Sequence, residues 1–203
     1  MPFPFDADLL RHIIVGKNHP GPPAGARFVS TSVFMLIFNR KQVPCLFTVL
    51  KADNKGYPWR NQVALPGGHV DEADSSALSA AYREVEEEVR ITPDEIEYIG
   101  SMGHFQTIQQ KDIEVFVGLW EAKGEPVRFD PDEISRTLAP SIPALFRHHL
   151  DQKFNGRIPG VGELIYPVGD LVIWGVTARI LHYFLELIHS RLSAESLHAL
   201  LAA

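Results

Sequence analysis

The amino-acid pattern predicts an α/β/α sandwich, a mixed β-sheet held between helices. Strongly β-prone runs at Phe28–Phe38, Val43–Leu50 and Ile113–Trp120 are separated by segments with helical spacing of apolar residues. The helix patterns at Ser76–Arg90 and Leu171–Ser190 carry enough apolar surface to cover a sheet. At 203 residues the chain fits one domain, 1–203, long enough to bury a substantial core. It shows no internal repeat and no linker-like stretch.

Asp6–Val15 reads as a short amphipathic helix capped by Asp6. Asn18–Ala26 (NHPGPPAGA) is rich in Pro and Gly and reads as a loop or extended arm. Phe28–Phe38 is the first strand, and polar Asn39–Gln42 connects it to Val43–Leu50 as an antiparallel hairpin. Lys51–Arg60 is a turn-rich loop that leads through Asn61–Ala64 to Leu65-Pro66-Gly67-Gly68, a turn that breaks helix or strand. Asp74, Ser75 and Ser76 suit the start of the next helix. Beyond it, Thr92–Asp94 opens a short segment, Ile96–Met102 is a strand and Gly103–Lys111 a polar loop. Asp130–Ile134 precedes a short helix or turn, Ala139–Phe146 is punctuated by proline, and Lys153–Val168 is a small hairpin or loop. Leu171–Ser190 is the longest helix. Ser193–Ala203 supplies a last helical turn or two suited to a subunit contact, which leaves a homodimer open.

Composition narrows the function. With 19 basic and 25 acidic residues, a net charge of −6, there is no reason to expect a nucleic-acid partner. The single cysteine, Cys45, lies in an apolar run, so no disulfide framework exists and a small buried hydrophobe is expected there. The first residues, MPFPFDADLL, lack the basic start and apolar core of a signal peptide. No apolar run approaches the ~20 residues of a membrane span. The expectation is a cytoplasmic protein without a membrane partner.

The helix at Ser76–Arg90 carries the chemistry. At 100° per residue, Glu84, Glu87 and Glu88 fall at roughly 0°, 300° and 40°, on one face. Glu86, at roughly 200°, points away, where Arg90 can pair with it. Leu78, Ala81, Val85 and Val89 form the apolar stripe beside the acids. A run of glutamates is most often a solvated face. Three converging carboxylates beside a buried edge instead call for a cation, and a hard divalent ion such as Mg²⁺ suits them. His69, just after the glycines, is a poor match for Mg²⁺.

The glycine turn, the acid after it and the Arg-Glu that follows resemble the Nudix box, the signature of hydrolases that cleave a nucleoside diphosphate linked to another group. The matching positions are Gly68, Asp74, Arg83-Glu84, Val85, Glu86 and Glu87-Glu88, closed by Ile91, so the box spans about residues 67–91. The resemblance implies the Nudix-type α/β/α sandwich. It also implies that Glu84, Glu87 and Glu88 hold one or more Mg²⁺ or Mn²⁺ ions, with the backbone carbonyl of Gly67 completing the set. Arg83 falls beside Glu87 on the helix and orients a box carboxylate; Asp74 fixes the loop-to-helix junction. The general base is Glu87 or Glu88, or a carboxylate from a later loop, with Glu133 ahead of Asp132.

Three departures bear on substrate. Asp74 stands where glutamate is usual, one more residue separates it from Arg83, and Arg90 replaces a glycine, which affects how the helix ends. The first two resemble the coenzyme A diphosphatase branch, as does the run Ile173-Trp174-Gly175-Val176-Thr177-Ala178, where Trp174 would fill the core. The branch's upstream Thr-x-Arg-Ser and Arg-x-His-x-Gly-Gln elements are degraded: the chain reads Thr48-Val49-Leu50-Lys51 and Tyr57-Pro58-Trp59-Arg60-Asn61-Gln62. Lys51 and Arg60, with Lys55 behind them, are the replacement phosphate partners. His104 and Gln106 are candidate substrate contacts, and Phe105 or Trp59 would stack on a base or pack. The expected partner is a small nucleoside diphosphate derivative: coenzyme A or a thioester first, and ADP-ribose, a nucleotide sugar or a dinucleotide as alternatives. A non-catalytic nucleotide sensor is the competing class, and the intact acid trio argues against it.

Overall fold

Strand β1 (Val29–Arg40) is buried on both faces. Its alternation sends Phe34, Leu36 and Phe38 to one side and Val33, Met35 and Ile37 to the other. A strand apolar on both sides must be covered on both sides, and this dictates the sandwich. The computed structural model describes residues 4–16, 18–25, 27–55, 59–122 and 127–203. Within them β1 runs parallel to β7 (Lys111–Trp120), in register from Val29 opposite Lys111 to Ile37 opposite Leu119. Strand β7 pairs antiparallel with β6 (Ile96–Gln106). The remaining pairings of β1, both antiparallel, are with β2 (Val43–Leu46) and β5 (Gly67–His69). A three-stranded antiparallel sheet comprises β4 (Val63–Ala64), β3 (Thr48–Lys51) and β8 (Ile134–Leu138). A hairpin of β9 (Tyr166–Val168) and β10 (Leu171–Ile173) stands apart.

The helices fill both faces. Helix α2 (Ala77–Val89) packs Ala81, Val85 and Val89 with Phe34, Leu36 and Phe116. On the opposite face α1 (Ala7–Ile14) and α4 (Gly175–Arg191) pack Ile13, Ile14, Leu181 and Phe184 with Met35, Ile37, Val115 and Val117. Asp6 caps α1, its carboxylate accepting from the Leu9 N–H at 2.8 Å. Helices α3 (Ile142–Asp151) and α5 (Ala194–Ala202) complete the fold. Cys45 is buried and free. Among the described residues no helix is long and apolar enough to cross a membrane.

Several expectations are corrected. Val43–Leu50 is two strands: Phe47 still bonds Leu36, but from Thr48 the chain joins the three-stranded sheet. The first hairpin turns at Lys41 and Gln42, both at positive φ, as a two-residue connection requires. Gly67 and Gly68 form a short strand on β1 in place of a free turn. Strand β6 continues past Met102 through a bulge to Gln106, so His104 and Gln106 sit on a strand and not in a loop. The proline-punctuated stretch begins α3, with Ser141 as N-cap and Pro143 in the first turn, where its missing N–H costs nothing. Leu171–Ile173 belongs to β10, and the long helix starts only at Gly175. Tyr57 and Pro58 of the upstream element, and Ala26 at the end of the proline-rich arm, lie outside the described residues.

Candidate active site

The acidic helix is built from its N-terminus. Ser76 accepts from the Ser79 N–H at 3.1 Å, and Ser79 Oγ accepts from the Ser76 N–H at 2.9 Å, a reciprocal cap that fixes the register of α2. At its other end Arg90 adopts the left-handed conformation, φ 56° and ψ 26°, where glycine is favoured. No Glu86–Arg90 ion pair forms among the described residues, and Glu86 is exposed.

Arg83 is the hub of the acids. Its Nη1 donates to Glu84 and Glu87, each at 3.0 Å, and its Nε and Nη2 grip Asp74 at 3.1 and 2.9 Å. Nη2 also donates to the carbonyl of His69 at 3.0 Å, tying the strand after the glycines to the helix. The hydrogen bonds from Arg83 hold the Asp74 carboxyl below its ordinary range. Burial raises Glu84, against the hydrogen bond from Arg83 and helped by the charges of Glu88 and Glu87.

Glu88 differs from its neighbours. It is sealed from solvent and paired with the equally buried Lys51 Nζ, and its second oxygen accepts from the Gly67 N–H at 3.2 Å. Burial pushes its carboxyl up, opposed by Lys51 and by that N–H. Glu133 is exposed on the turn before β8, and its charge adds slightly to the rise.

Glycine is required where strand and helix meet. A Cβ on Gly68 would collide with the Glu84 carboxylate, and one on Gly67 with the backbone of Ser32 and Val33. Gly67, Gly68 and Lys51 also line a cavity of about 260 Å³. Its other walls include Trp59, Gln62, His69, Gln106, Lys111, Trp174, Val176 and Arg179. Lys111 Nζ lies 2.9 Å from His69 Nε2 and 5.5 Å from the centre of the Trp59 ring. Burial and the neighbouring Lys111 lower the His69 pKa, against the charge of Asp71. Arg179 Nη1 donates to the Gln106 carbonyl at 3.0 Å.

Residues 29–153 match the NUDIX domain model. The chain belongs to the Nudix family. A curated relative, "Uncharacterized Nudix hydrolase NudL" of Escherichia coli (strain K12), is 36% identical over 124 residues, covering 59% of this chain and 63% of that protein. The chain therefore spans just under two thirds of the length of the curated relatives it matches. Among solved structures, a MutT/nudix family protein from Enterococcus faecalis aligns with a TM-score of 0.54 at 16% identity, covering 86% of this chain and 67% of that one. A MutT protein from Methanosarcina mazei Go1 aligns at 0.53 and 16%, covering 84% and 100%. The NUDIX domain of Shewanella oneidensis NrtR, solved with ADP ribose, aligns at 0.51 and 15%, covering 84% and 92%. These likenesses establish the α/β/α fold.

Within the box Glu84 and Glu87 share the Arg83 guanidinium and Glu86 points to solvent, while Glu88 is buried. Lys51, expected to meet a substrate phosphate, reaches the cavity but is the charge partner of Glu88. Arg60 does not reach the cavity; it is exposed and lies 3.5 Å from Asp53. His104 is turned to Asp112 at 2.9 Å and is likewise outside the cavity lining, whereas Gln106, bonded to the same Asp112 at 2.8 Å, lines it. Phe105 is core, packed on Tyr183. Trp174, expected in the core, is 47% exposed at the cavity. The cations missed were Lys111 and Arg179. Arg179 follows Gly175 and Val176 at one-turn spacing on α4, which was a usable signal; Lys111 depended on the β1–β7 register.

Carboxylate oxygens are the donors a hard divalent cation prefers, and Glu84 Oε2 and Glu87 Oε1 carry no hydrogen bond among the described residues. Glu84 lies against Gly68, both Glu88 oxygens are engaged by Lys51 and Gly67, and the three acids are not drawn together on one point.

Proposed function

We propose that the chain is a divalent-metal-dependent diphosphatase acting on a nucleoside diphosphate derivative. The observation that supports this reading most is that the Glu84 carboxylate is separated from the cavity by no more than the missing Cβ of Gly68. In this reading Glu84, Glu87 and Glu88 hold the ion, Mg²⁺ or Mn²⁺, with the Gly67 carbonyl as a further donor. A bound ion there would neutralise phosphate charge and lower the pKa of a coordinated water. Arg83 is a positioning residue: its hydrogen bonds fix Glu84 and Glu87 and leave their outer oxygens presented. Lys51 opposes the burial that pushes the Glu88 carboxyl up. Glu133 is the candidate base, because it is exposed to receive a proton and close enough to be felt by Glu88. Glu133→Gln should depress turnover while metal affinity, followed by calorimetry, stays within about twofold.

Coenzyme A or a thioester, cut to 3′,5′-ADP and phosphopantetheine, is the finer reading. Support comes from Trp59 and Trp174 as aromatic surfaces, from apolar Ile108 and Val161 for a long arm, and from Lys111 and Arg179 for phosphate. ADP-ribose, a nucleotide sugar or a dinucleotide is the second reading, since a cavity with two tryptophans and two cations also suits a dinucleotide. Diphosphate compounds screened with Mg²⁺ and with Mn²⁺, with products read by mass, decide between them. Coenzyme A cleaved faster than dephospho-coenzyme A supports the first; ADP-ribose cleaved faster than either rejects it. No cleavage of any compound with either metal would sink the diphosphatase reading and leave the sensor.

A further inference from the structure

A second cluster of ligand-type side chains lies where α3 meets α4. His149, His182 and Glu186 bring one donor atom each within 4.8 Å of one another. We propose that these three residues form a binding site for a divalent transition-metal ion of the Zn²⁺ class, separate from the carboxylates of the Nudix box.

The ligand chemistry selects the ion. Two imidazoles and a carboxylate, with a fourth position for water, are a recognised zinc set and a poor one for Mg²⁺. His182 and Glu186 are one helical turn apart on α4 and therefore share a face. His149 comes from the last turn of α3 and is fully buried; His182 is 8% exposed.

The outer partners are in place as well. His149 Nδ1 lies 2.9 Å from the Tyr166 hydroxyl, leaving Nε2 facing Glu186 Oε1, also at 2.9 Å. His182 Nε2 lies 3.3 Å from the Phe154 carbonyl, which frees Nδ1 to ligate. The second oxygen of Glu186 accepts from the Gly156 N–H at 2.8 Å. Each ligand thus has one atom held by a neighbour outside the cluster, the arrangement that orients metal-binding side chains. The rings of Phe146, Phe154 and Tyr166 surround His149. An ion replaces the His149–Glu186 hydrogen bond: the imidazole carries its proton on Nδ1, which donates to the Tyr166 oxygen, and Nε2 becomes the ligand. A simple hydrogen-bonded pair would need only His149 and Glu186; the second imidazole, 5.1 Å away between ring centres, is what a third ligand explains. The ion would join α3, α4 and the connection through Phe154 and Gly156. Through Tyr166 it reaches the β9–β10 hairpin that leads into Trp174.

The test uses the tag-free full chain after chelator treatment. Zn²⁺ is titrated against a chromogenic zinc chelator, and Co²⁺ is followed by visible absorption. The expected result is a single tight equivalent of Zn²⁺, retained in Glu87→Gln, with tetrahedral Co²⁺ bands that lack thiolate charge transfer. His182→Gln and Glu186→Gln should lose at least about a hundredfold in Zn²⁺ affinity at an unchanged circular dichroism spectrum, the upper range for lost metal ligation partners. Should either variant misfold, paramagnetically shifted imidazole N–H resonances from the Co²⁺-loaded native chain test the ligands directly: two support the site, none overturns it. Zn²⁺ uptake lost with Glu87→Gln, or unchanged in both cluster variants, also overturns it. Mg²⁺-dependent turnover is a separate readout, so failure here leaves the diphosphatase reading intact.

Discussion

The Nudix box and the wall opposite it are built on different principles. From Gly67 to Ile91 the arrangement is largely local: a serine cap, helical spacing and one arginine place Asp74, Glu84 and Glu87, and Lys51 reaches in from outside to Glu88. The opposite wall, from β9 through Trp174 to Arg179, is assembled from chain far downstream and touches the box only across the cavity. In the proposed reading, chemistry belongs to the box and recognition to chain from far downstream. Inside the box the same contrast recurs between two adjacent glutamates. Glu87 is exposed and held by Arg83; Glu88 is buried and held by Lys51.

The largest expected effect breaks the pair inside the box. Glu88→Gln should lower turnover by two or more orders of magnitude, the range for a key electrostatic group. It should also cost up to about 3–5 kcal/mol of stability, because the buried Lys51 ammonium loses the carboxylate it is paired with. Denaturant unfolding checks the second part, and an unchanged midpoint would show that Lys51 finds another partner. Glu87→Gln should lose a similar factor in turnover with stability unchanged, since its carboxylate is in solvent. Glu86→Gln, on the far side of the same helix, should stay within about twofold of native turnover, well below that range; equal damage at Glu86 and Glu87 would mean the acids do not act as a face.

Across the cavity the effect should be smaller and of another kind. Arg179→Ala should raise KM about tenfold, near 1.4 kcal/mol, with kcat little changed. A fall in kcat instead would make the downstream wall part of the chemistry and dissolve the contrast. The smallest effect belongs to the end of α2. Arg90→Gly should stabilise the protein by about 0.5–1 kcal/mol, because glycine adopts the left-handed cap without strain. A destabilised variant would show that the Arg90 side chain contributes more than its backbone costs.

This contrast also explains what the sequence reveals. Whereas Glu88 takes its partners from Lys51 and Gly67, far off in the chain, Glu84 and Glu87 could be placed from helical angles because the arginine that orients them, Arg83, lies on the same helix. The cap at Ser76, the strand β1 and the helix α1 were legible for the same reason. Lys51 and Arg60 look equivalent in the chain, yet one is buried against Glu88 and the other is exposed beside Asp53, a difference set by the pairing of β3 with β8. Strand β8 and helix α3 went unread because Pro140 and Pro143 suggested a loop, whereas Pro143 sits in a first helical turn. The switch of sheets at Phe47 has no local marker: the apolar run is continuous, and only distant partners divide it.

The parallel register of β1 with β7 governs how the molecule is born. Val29 meets Lys111 only after the whole of β2 to β6, Nudix box included, has been gathered into the intervening loop. Closing so long a loop costs entropy before any contact repays it, so the step is slow compared with forming α2. The acidic face of α2 can thus exist as a nascent helix while the cavity beside it does not. During synthesis the box leaves the ribosome before β7, and only the arrival of β7 brings Lys111 to face His69. Catalytic competence, on this order of events, is gained late and all at once.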